Sequence, residues 1–255
     1  MSKFIDRLNQ VSQAVAQPMG FRAGAGTQAK PKLLLVAGVT ELNGVADHIA
    51  EADAGLVNLA GLGLGAFKKV VRAAPDIPWG VANGGDKEIS QILDAGCDFV
   101  VFPADSTALA MFQGEGVGKI LAVEPSLSDS LVRAADRLPV DAVLVGYEQE
   151  EVLTWHHLMQ IQRYADLLAK PLLVSIPANT VAAELQAMLA AGVSGVVVEV
   201  DAGQPPGRMG ELRKMIDSLA PPPRRKWGRL GAIVPLVGGR TAEAAEEPEE
   251  EEEEE

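Results

Sequence analysis

The stretch ILDAGCDFVVFPAD at Ile92–Asp105 recurs 96 residues further along the chain as MLAAGVSGVVVEVD at Met188–Asp201. In both copies a helical pattern ends at Ala-Gly, where glycine readily adopts the left-handed conformation that closes many helices. A run of β-branched and other apolar residues follows, as expected of a strand that is covered on both faces. We therefore expect Gly96 and Gly192 to have positive φ, and we expect a carboxylate to stand where each strand ends.

The same alternation of helix and strand extends through most of the chain. Eight apolar segments predict strands, at Leu33–Val39, Gly55–Ala60, Trp79–Ala82, Phe99–Phe102, Ile120–Val123, Ala142–Val145, Leu172–Ile176 and Gly195–Val200. Helical patterns lie at Leu42–Ala52, Ala66–Ala74, Glu88–Ala95, Ser128–Leu138, Val152–Ala169, Val181–Ala191 and Met209–Leu219, with a weaker one at Thr107–Gly114. Strands that alternate with helices form a parallel sheet. Eight such units with matching halves predict a closed (β/α)8 barrel.

The unit pattern over Lys32–Leu219 resembles the aldolase-type (β/α)8 TIM barrels. The resemblance is one of unit pattern, and it matches no particular family by a catalytic motif. The main alternative is an open doubly wound sheet, whose commonest function requires a GxGxxG turn after the first strand. That turn here reads GVTELNG at Gly38–Gly44, which lacks the required spacing.

Composition divides the chain into four segments. Residues 1–31 contain an amphipathic helix at Lys3–Ala16, with Ser2 as its N-cap, and a loop rich in Gly and Ala. Residues 32–219 form the barrel. Residues 220–239 are a Pro-rich and basic linker with a small apolar patch. Residues 240–255 are an acidic low-complexity tail, which we expect to be disordered because like charges repel and little apolar surface is available to bury.

Charge and cysteine content exclude several classes of protein. The net charge is −13, but ten glutamates between Glu243 and Glu255 leave only −3 for the remainder. We see no broad basic surface, so nucleic-acid binding is not expected. No apolar run is long enough to span a membrane, and no signal peptide is visible. The single Cys97 permits no internal disulfide, which favours a cytoplasmic protein.

The strand ends supply the candidate site, since barrels of this type carry their catalytic residues where strands lead into loops. Asp105, Glu124 and Glu148 follow the fourth, fifth and sixth predicted strands. Hard cations prefer such oxygen ligands, so we expect these carboxylates to hold Mg2+ or Mn2+. Glu124, Glu148 and Tyr147 are the candidate catalytic residues, because a bound ion can polarise a carbonyl and stabilise an enolate.

Carboxylates gathered in one mouth repel each other unless something compensates their charge. The sequence therefore predicts either a divalent ion or hydrogen-bond donors beside the three carboxylates. The donors available at these positions are Ser106, Ser126 and Tyr147.

Four further residues are candidates for substrate binding: Asn58, Asn83, Ser175 and Arg208. The loop after the eighth strand, Asp201–Gly210, combines glycines with Arg208. Such a loop can present N–H groups and a cation to a phosphate near a helix start. The alternative is an ordinary capped loop with a surface arginine.

The lysines and histidines argue against two other mechanisms. No predicted strand ends in Lys, which a Schiff-base aldolase requires. All three histidines fall in predicted helices, so a His-rich zinc site is not expected. The favoured function is a metal-assisted lyase or isomerase acting on a small carboxylate or phosphorylated substrate. A flavin- or phosphate-sugar-binding barrel enzyme and a non-catalytic binding or assembly module remain alternatives, and the sequence predicts no oligomeric state.

Overall fold

Eight parallel strands close into a barrel in the computed structural model of the protein. The structure describes residues 2–15, 32–40, 49, 51–83, 89–109, 116–147, 150–200 and 207–221, which all belong to one unit, Met1–Pro222. The strands are β1 (Leu34–Val39), β2 (Ala54–Asn58), β3 (Trp79–Ala82), β4 (Phe99–Pro103), β5 (Gly118–Val123), β6 (Ala142–Gly146), β7 (Leu172–Ile176) and β8 (Gly195–Val200).

Each strand pairs with the next one in the chain, and β8 returns to pair with β1. The closing ladder runs from Leu34 opposite Gly195 to Val39 opposite Val200. The predicted (β/α)8 barrel is therefore confirmed, and the open doubly wound sheet is excluded. Strands β3, β7 and β8 have the predicted bounds, and the other five differ by one or two residues at an end.

The described residues form seven helices: α1 (Lys3–Val15), α2 (Leu59–Ala73), α3 (Ile89–Asp94), α4 (Asp129–Ala135), α5 (Trp155–Leu167), α6 (Ala182–Ala191) and α7 (Arg208–Ser218). None of them is long and apolar enough to cross a membrane. Helix α2 begins earlier than predicted, because Asn58 caps its first turn and a kink at Gly63, with φ of 68°, joins that turn to the rest.

Several predicted segments lie outside the described residues. These are most of the helical pattern at Leu42–Ala52, part of Thr107–Gly114, and the linker and acidic tail beyond residue 221.

Alternate residues of each strand face the barrel interior and the surrounding helices. In β1, Leu34 and Val36 belong to the interior cluster, whereas Leu35 and Ala37 belong to the layer under the helices. The same period of two continues around the barrel, as a pleated strand requires. Position along a strand therefore decides whether a polar side chain near its end can face the mouth of the barrel.

Helix α1 fills the barrel at the end where the strands begin. Phe4 and Leu8 are fully buried in the interior cluster. The Phe4 ring stacks on Phe99 of β4, with ring centroids 4.4 Å apart. Gly80 makes room for this stack, because a Cβ at that position would come within 2.3 Å of the Phe99 ring. The end of the barrel where the strands begin is consequently packed with apolar side chains.

Asp98, the residue before β4, anchors the first turn of α1. Its carboxylate accepts hydrogen bonds from Ser2 Oγ, Lys3 N and Phe4 N, each at 2.8 Å. A carboxylate at a helix N-terminus is favourable because it pairs with backbone N–H groups that have no partner within the helix. The Ser2 hydroxyl in turn accepts from Ile5 N at 3.2 Å, as expected of the predicted N-cap.

The two copies of the repeated unit have the same turn between helix and strand. Gly96 and Gly192 have φ of 91° and 103°, so the predicted positive φ is confirmed at both positions. Gly192 N donates to the carbonyl oxygens of Met188 and Leu189, both at 3.1 Å. These bonds satisfy carbonyl groups at the end of α6 that have no partner within the helix.

Replacing Gly192 by Ala should lower the free energy of unfolding by about 1 kcal/mol, because an L side chain is strained at this positive φ. An added Cβ would meet only Ala165 Cβ, at 3.5 Å, so the cost arises in the backbone and not from a clash. Urea unfolding measures the change. Gly65→Ala in α2 is the matched control, since Gly65 has no positive φ and open space around it, and it should be neutral or slightly stabilising. Equal stability of G192A and the unsubstituted protein would contradict the prediction.

Candidate functional site

A cavity of about 590 Å3 opens at the end of the barrel where the strands finish. Its floor is apolar and includes Leu56, Val101, Leu144 and Val197 from the interior of the barrel. The walls above the floor carry small residues, which leave the space empty: Gly38, Ala82, Ala122 and Gly146. Binding sites for small molecules commonly have volumes in this range.

Asn58 and Asn83, two of the predicted substrate-binding residues, lie side by side on the β2–β3 side of the cavity. Asn83 Nδ2 donates to Asn58 Oδ1 at 3.3 Å, and the same oxygen accepts from Ala60 N at 3.2 Å. Asn83 has φ of 55°, a conformation that asparagine tolerates better than most residues. The pair therefore has a defined orientation at the cavity rim.

Asp105 and Glu124 line the cavity from the neighbouring strands β4 and β5. Ser106 Oγ donates to Asp105 Oδ1 at 3.1 Å, and Ser126 Oγ donates to Glu124 Oε2 at 3.2 Å. Two of the three predicted donors thus accompany the predicted carboxylates. Both carboxylates are exposed to solvent in the mouth of the barrel.

The loop that carries Glu124 is tied to helix α5. Tyr164 donates its hydroxyl proton to the carbonyl oxygen of Glu124 at 2.5 Å. Burial raises the pKa of Tyr164, so its hydroxyl remains a donor. Arg163 donates to the carbonyl oxygens of Pro125, at 3.4 Å, and of Leu127. Helix α5 consequently fixes the backbone on which the Glu124 side chain stands.

Ser175 and Glu199 line the opposite side of the cavity, on β7 and β8. Ser175 is only 6% exposed, whereas Glu199 is exposed to solvent in the mouth. The nearby Thr40 also lines the cavity, and its hydroxyl donates to the carbonyl oxygen of Val200 at 3.2 Å. The cavity thus has polar groups on both sides of an apolar floor.

Tyr147, predicted as a catalytic residue, lies in the layer between the barrel and the helices. It is 4% exposed, and its hydroxyl donates to Gln160 Oε1 of α5 at 3.1 Å. Its ring packs against the ring of His157, with centroids 5.0 Å apart. Burial raises its pKa, so the phenol stays protonated. The physical reason for this position is the strand period, since Leu144 and Gly146 face the cavity and the next residue faces outward.

Arg208, predicted to bind substrate, lies at the start of α7 and is not among the residues that line the cavity. Its guanidinium donates to the carbonyl oxygens of Ala178, at 2.6 Å, and Thr180, at 2.7 Å. It also pairs with Glu211 at 2.8 Å. The structure therefore supports the alternative interpretation, in which this arginine holds the loop after β7 against α7.

Cys97, His156 and His157 do not belong to the cavity. The Cys97 thiol donates to the carbonyl oxygen of Phe99 at 3.0 Å, and burial raises its pKa to about 12, so no reactive thiolate forms at neutral pH. His157 closes the first turn of α5, where its Nδ1 accepts from Thr154 N at 3.2 Å. Cys97 and His157 thus have structural roles.

The three predicted metal ligands are only partly brought together. Asp105 and Glu124 line the same cavity, and Glu148 lies outside the described residues. Within the described ranges, no three His, Cys, Asp or Glu side chains are grouped so that they could hold one metal ion. The described part of the chain therefore does not supply a complete set of protein ligands for an ion.

The strand period explains why Glu199, at the end of its strand, is a further cavity residue. Val197 faces the interior, so Glu199, two residues later, must face the mouth. The same count from Ala142 and Leu144 through Gly146 assigns Tyr147 to the outward side of its strand. Counting positions along each strand, not only their distance from its end, separates cavity residues from packing residues.

No family model and no curated protein matches the chain. Solved structures match its fold. A mutant tryptophan synthase alpha-subunit from the hyperthermophile Pyrococcus furiosus is 13% identical, with a TM-score of 0.57, over 73% of this chain and 97% of that one. The native KDPGal structure is 16% identical, with a TM-score of 0.58, over 75% and 96%. Both are aldolase-type TIM barrels, and identities this low show a shared fold only.

Replacing Arg208 by Ala should lower the free energy of unfolding by about 1–2 kcal/mol, because two carbonyl groups that are partly buried lose their donor. Lys214→Ala on the exposed side of α7 is the matched control and should change stability by less than about 0.5 kcal/mol. Thermal or urea unfolding of both variants provides the measurement. An R208A variant as stable as K214A would show that this arginine does not hold the loop.

Proposed function

We propose that the protein is a TIM-barrel enzyme of the lyase or isomerase class, which acts at the barrel mouth on a small oxyanion substrate together with Mg2+ or Mn2+. One observation carries this proposal: the cavity combines Asp105, Glu124 and Glu199 with no Lys, Arg or His among its lining residues in the described part of the chain. The structural neighbours that bear enzyme names have the same fold, and this likeness supports an active site at the strand ends.

A cavity with this charge needs a cation to accept a negatively charged substrate. Charges of like sign a few ångströms apart repel strongly where solvent is restricted. A divalent ion held by the carboxylates would convert this repulsion into attraction. The proposed oxyanion substrate and the proposed ion therefore depend on each other.

Two carboxylates are sufficient for such an ion. Mg2+ commonly keeps several water molecules and binds through one or two carboxylates plus the substrate. Asp105 and Glu124, which follow the adjacent strands β4 and β5, supply that number. Glu148, outside the described residues, is the proposed third ligand. The lack of a three-ligand group among the described residues is thus compatible with an ion that binds together with substrate.

The bound ion supplies Lewis acidity, which polarises a substrate carbonyl group and makes the neighbouring C–H bond more acidic. Glu124 is the proposed general base that accepts this proton at a carboxylate oxygen. Ser126 orients the carboxylate of Glu124 by donating a hydrogen bond to one of its oxygen atoms. Tyr164 fixes the backbone at the same residue. Asn58 and Asn83 are proposed to orient substrate oxygen atoms by donating hydrogen bonds.

One observation favours the non-catalytic alternative. Trp155 and Met159, one turn apart on α5, are 81% and 69% exposed, and the nearby Val152 is 64% exposed. Exposed apolar groups of this size are typical of surfaces that contact another protein. A binding or assembly module would present such a surface and would have no requirement for a metal ion.

Titration with Mg2+ or Mn2+ should raise the melting temperature, because an ion that binds only the folded protein stabilises it. At an ion concentration of 100 times Kd the expected gain is about 2.7 kcal/mol. Glu124→Gln and Asp105→Asn should each remove most of this gain, since each loses a charged ligand.

Asp76→Asn is the matched control, because Asp76 is an exposed carboxylate before β3, at the opposite end of the barrel. Its response to the ion should equal that of the unsubstituted protein. If millimolar Mg2+ and Mn2+ leave the melting temperature of the unsubstituted protein unchanged, the metal-assisted function is wrong and the non-catalytic module becomes the better account.

A further inference from the structure

Asn58 and Asn83 form a hydrogen-bonded pair whose amide orientation is fixed by the backbone. Ala60 N can only donate, so the Asn58 atom that it meets at 3.2 Å must be the amide oxygen Oδ1. Asn83 approaches the same oxygen at 3.3 Å, so it must do so with its donor, Nδ2. Both lone pairs of Asn58 Oδ1 are then used. Asn58 can therefore offer a ligand only the N–H groups of Nδ2, whereas Asn83 still has an acceptor in its amide oxygen.

The backbone conformation of Asn83 turns its side chain into the cavity. In β3, Ala82 packs on the interior cluster and Val81 on the layer under the helices, so the strand period alone would turn Asn83 outward. Asn83 nevertheless lines the cavity, and its φ of 55° departs from the strand conformation. Residues other than glycine adopt such values infrequently, and these values are concentrated at functional sites. The departure from strand geometry thus brings the second amide of the pair to the cavity.

Two polar atoms of the pair are available to a ligand. Within the described ranges, Asn58 Nδ2 and Asn83 Oδ1 take part in no hydrogen bond. Asn58 is partly buried and Asn83 is exposed, so solvent and ligands can reach both amides. A ligand group that pairs with both atoms must accept a hydrogen bond from Asn58 and donate one to Asn83.

We propose that Asn58 and Asn83 form a subsite for a hydroxyl group of the substrate. The inference rests on the proposed function, in which the oxyanion of the substrate lies with the ion near Asp105 and Glu124. A hydroxyl group both accepts and donates, so it pairs with both amides. A carboxylate only accepts and would face the amide oxygen of Asn83, whereas an ammonium group only donates and would face the N–H groups of Asn58. The role of Asn83 thereby extends from donating a hydrogen bond to accepting one.

Three probes that share a carboxylate and a 2-hydroxyl group test the subsite: glycerate, lactate and isoserine. At the third carbon, glycerate carries a hydroxyl group, lactate carries only hydrogen, and isoserine carries an ammonium group. Calorimetric titration of the full chain, at equal free Mn2+, gives the three affinities. Glycerate should bind about three- to ten-fold more tightly than lactate or isoserine, because only its terminal group can pair with both amides.

Asn58→Asp changes the direction of the hydrogen bond on one side of the pair. Asp is as good an N-cap as Asn, and its oxygen can still accept from Ala60 N and Asn83 Nδ2, so the melting temperature should not fall. The atom offered to the ligand becomes a charged acceptor, so isoserine should bind at least about ten-fold more tightly than glycerate. Asn9→Asp, in α1 at the opposite end of the barrel, adds the same charge and should keep the preference for glycerate.

Asn83→Gly removes the second amide and keeps the backbone conformation, because glycine adopts positive φ without strain. The affinity of this variant for glycerate should fall to within about two-fold of its affinity for lactate, since the acceptor for the terminal hydroxyl is gone. The melting temperature, measured in parallel, confirms that the variant is folded.

The outcomes separate this inference from the function on which it rests. Equal or tighter binding of lactate or isoserine by the unsubstituted protein overturns the subsite even if Mn2+ raises the melting temperature. A preference for glycerate that persists in N58D or N83G, a reversal that also occurs in N9D, or the absence of binding by all three probes overturns it as well. If Mn2+ has no effect on the melting temperature but the preference and its reversal in N58D are observed, the subsite is supported and the metal-assisted function fails.

Discussion

The stack of Phe4 on Phe99 decides where the protein can bind a ligand. Helix α1 inserts its apolar side chains among the strand beginnings, and the contact of the two rings fills the centre of the barrel there. Asp98 holds the helix in place through three hydrogen bonds to its first turn. With that end packed, the remaining space lies at the other end, where Gly38 and Gly146 face inward. The cavity is thus the consequence of large inward residues at one end and small ones at the other.

The two sides of the cavity differ in how their polar groups are held. On the β4–β5 side, serine hydroxyls pair with Asp105 and Glu124, and helix α5 fixes the adjoining backbone through Tyr164. On the β7–β8 side, Ser175 is buried within its strand, whereas Glu199 is exposed to solvent in the mouth. Polar groups on two sides of an apolar floor are properties of a site that orients an asymmetric ligand.

Sequence periodicity was sufficient to predict the barrel. The repeated helix–strand unit contains, in a single segment, the glycine that ends the helix and the buried strand that follows. Gly96 and Gly192 have the left-handed conformation at this point. Such local signals need no knowledge of distant contacts. The predicted strand ends also gave Asn58, Asn83, Asp105, Glu124 and Ser175 as candidates, and all five line the cavity, while their roles in binding and catalysis stay predictions.

Two predicted site residues have contacts that the sequence analysis did not anticipate, for two different physical reasons. Arg208 was expected at a phosphate, but the carbonyl groups of Ala178 and Thr180, 30 and 28 residues away, bind its guanidinium. Tyr147 was expected at the mouth, but the strand period turns it outward to meet Gln160. The amphipathic pattern of α1 shows one apolar face, and it does not reveal that this face enters the barrel.

The central claim is that the acidic mouth holds a divalent ion between Asp105 and Glu124. The most direct measurement is the anomalous diffraction of Mn2+ in crystals grown with the ion and glycerate. The account predicts one strong anomalous peak within coordination distance of Asp105 or Glu124 and of the glycerate carboxylate. A fully occupied peak elsewhere on the protein, or density for glycerate in the mouth with no ion beside these two carboxylates, would contradict it.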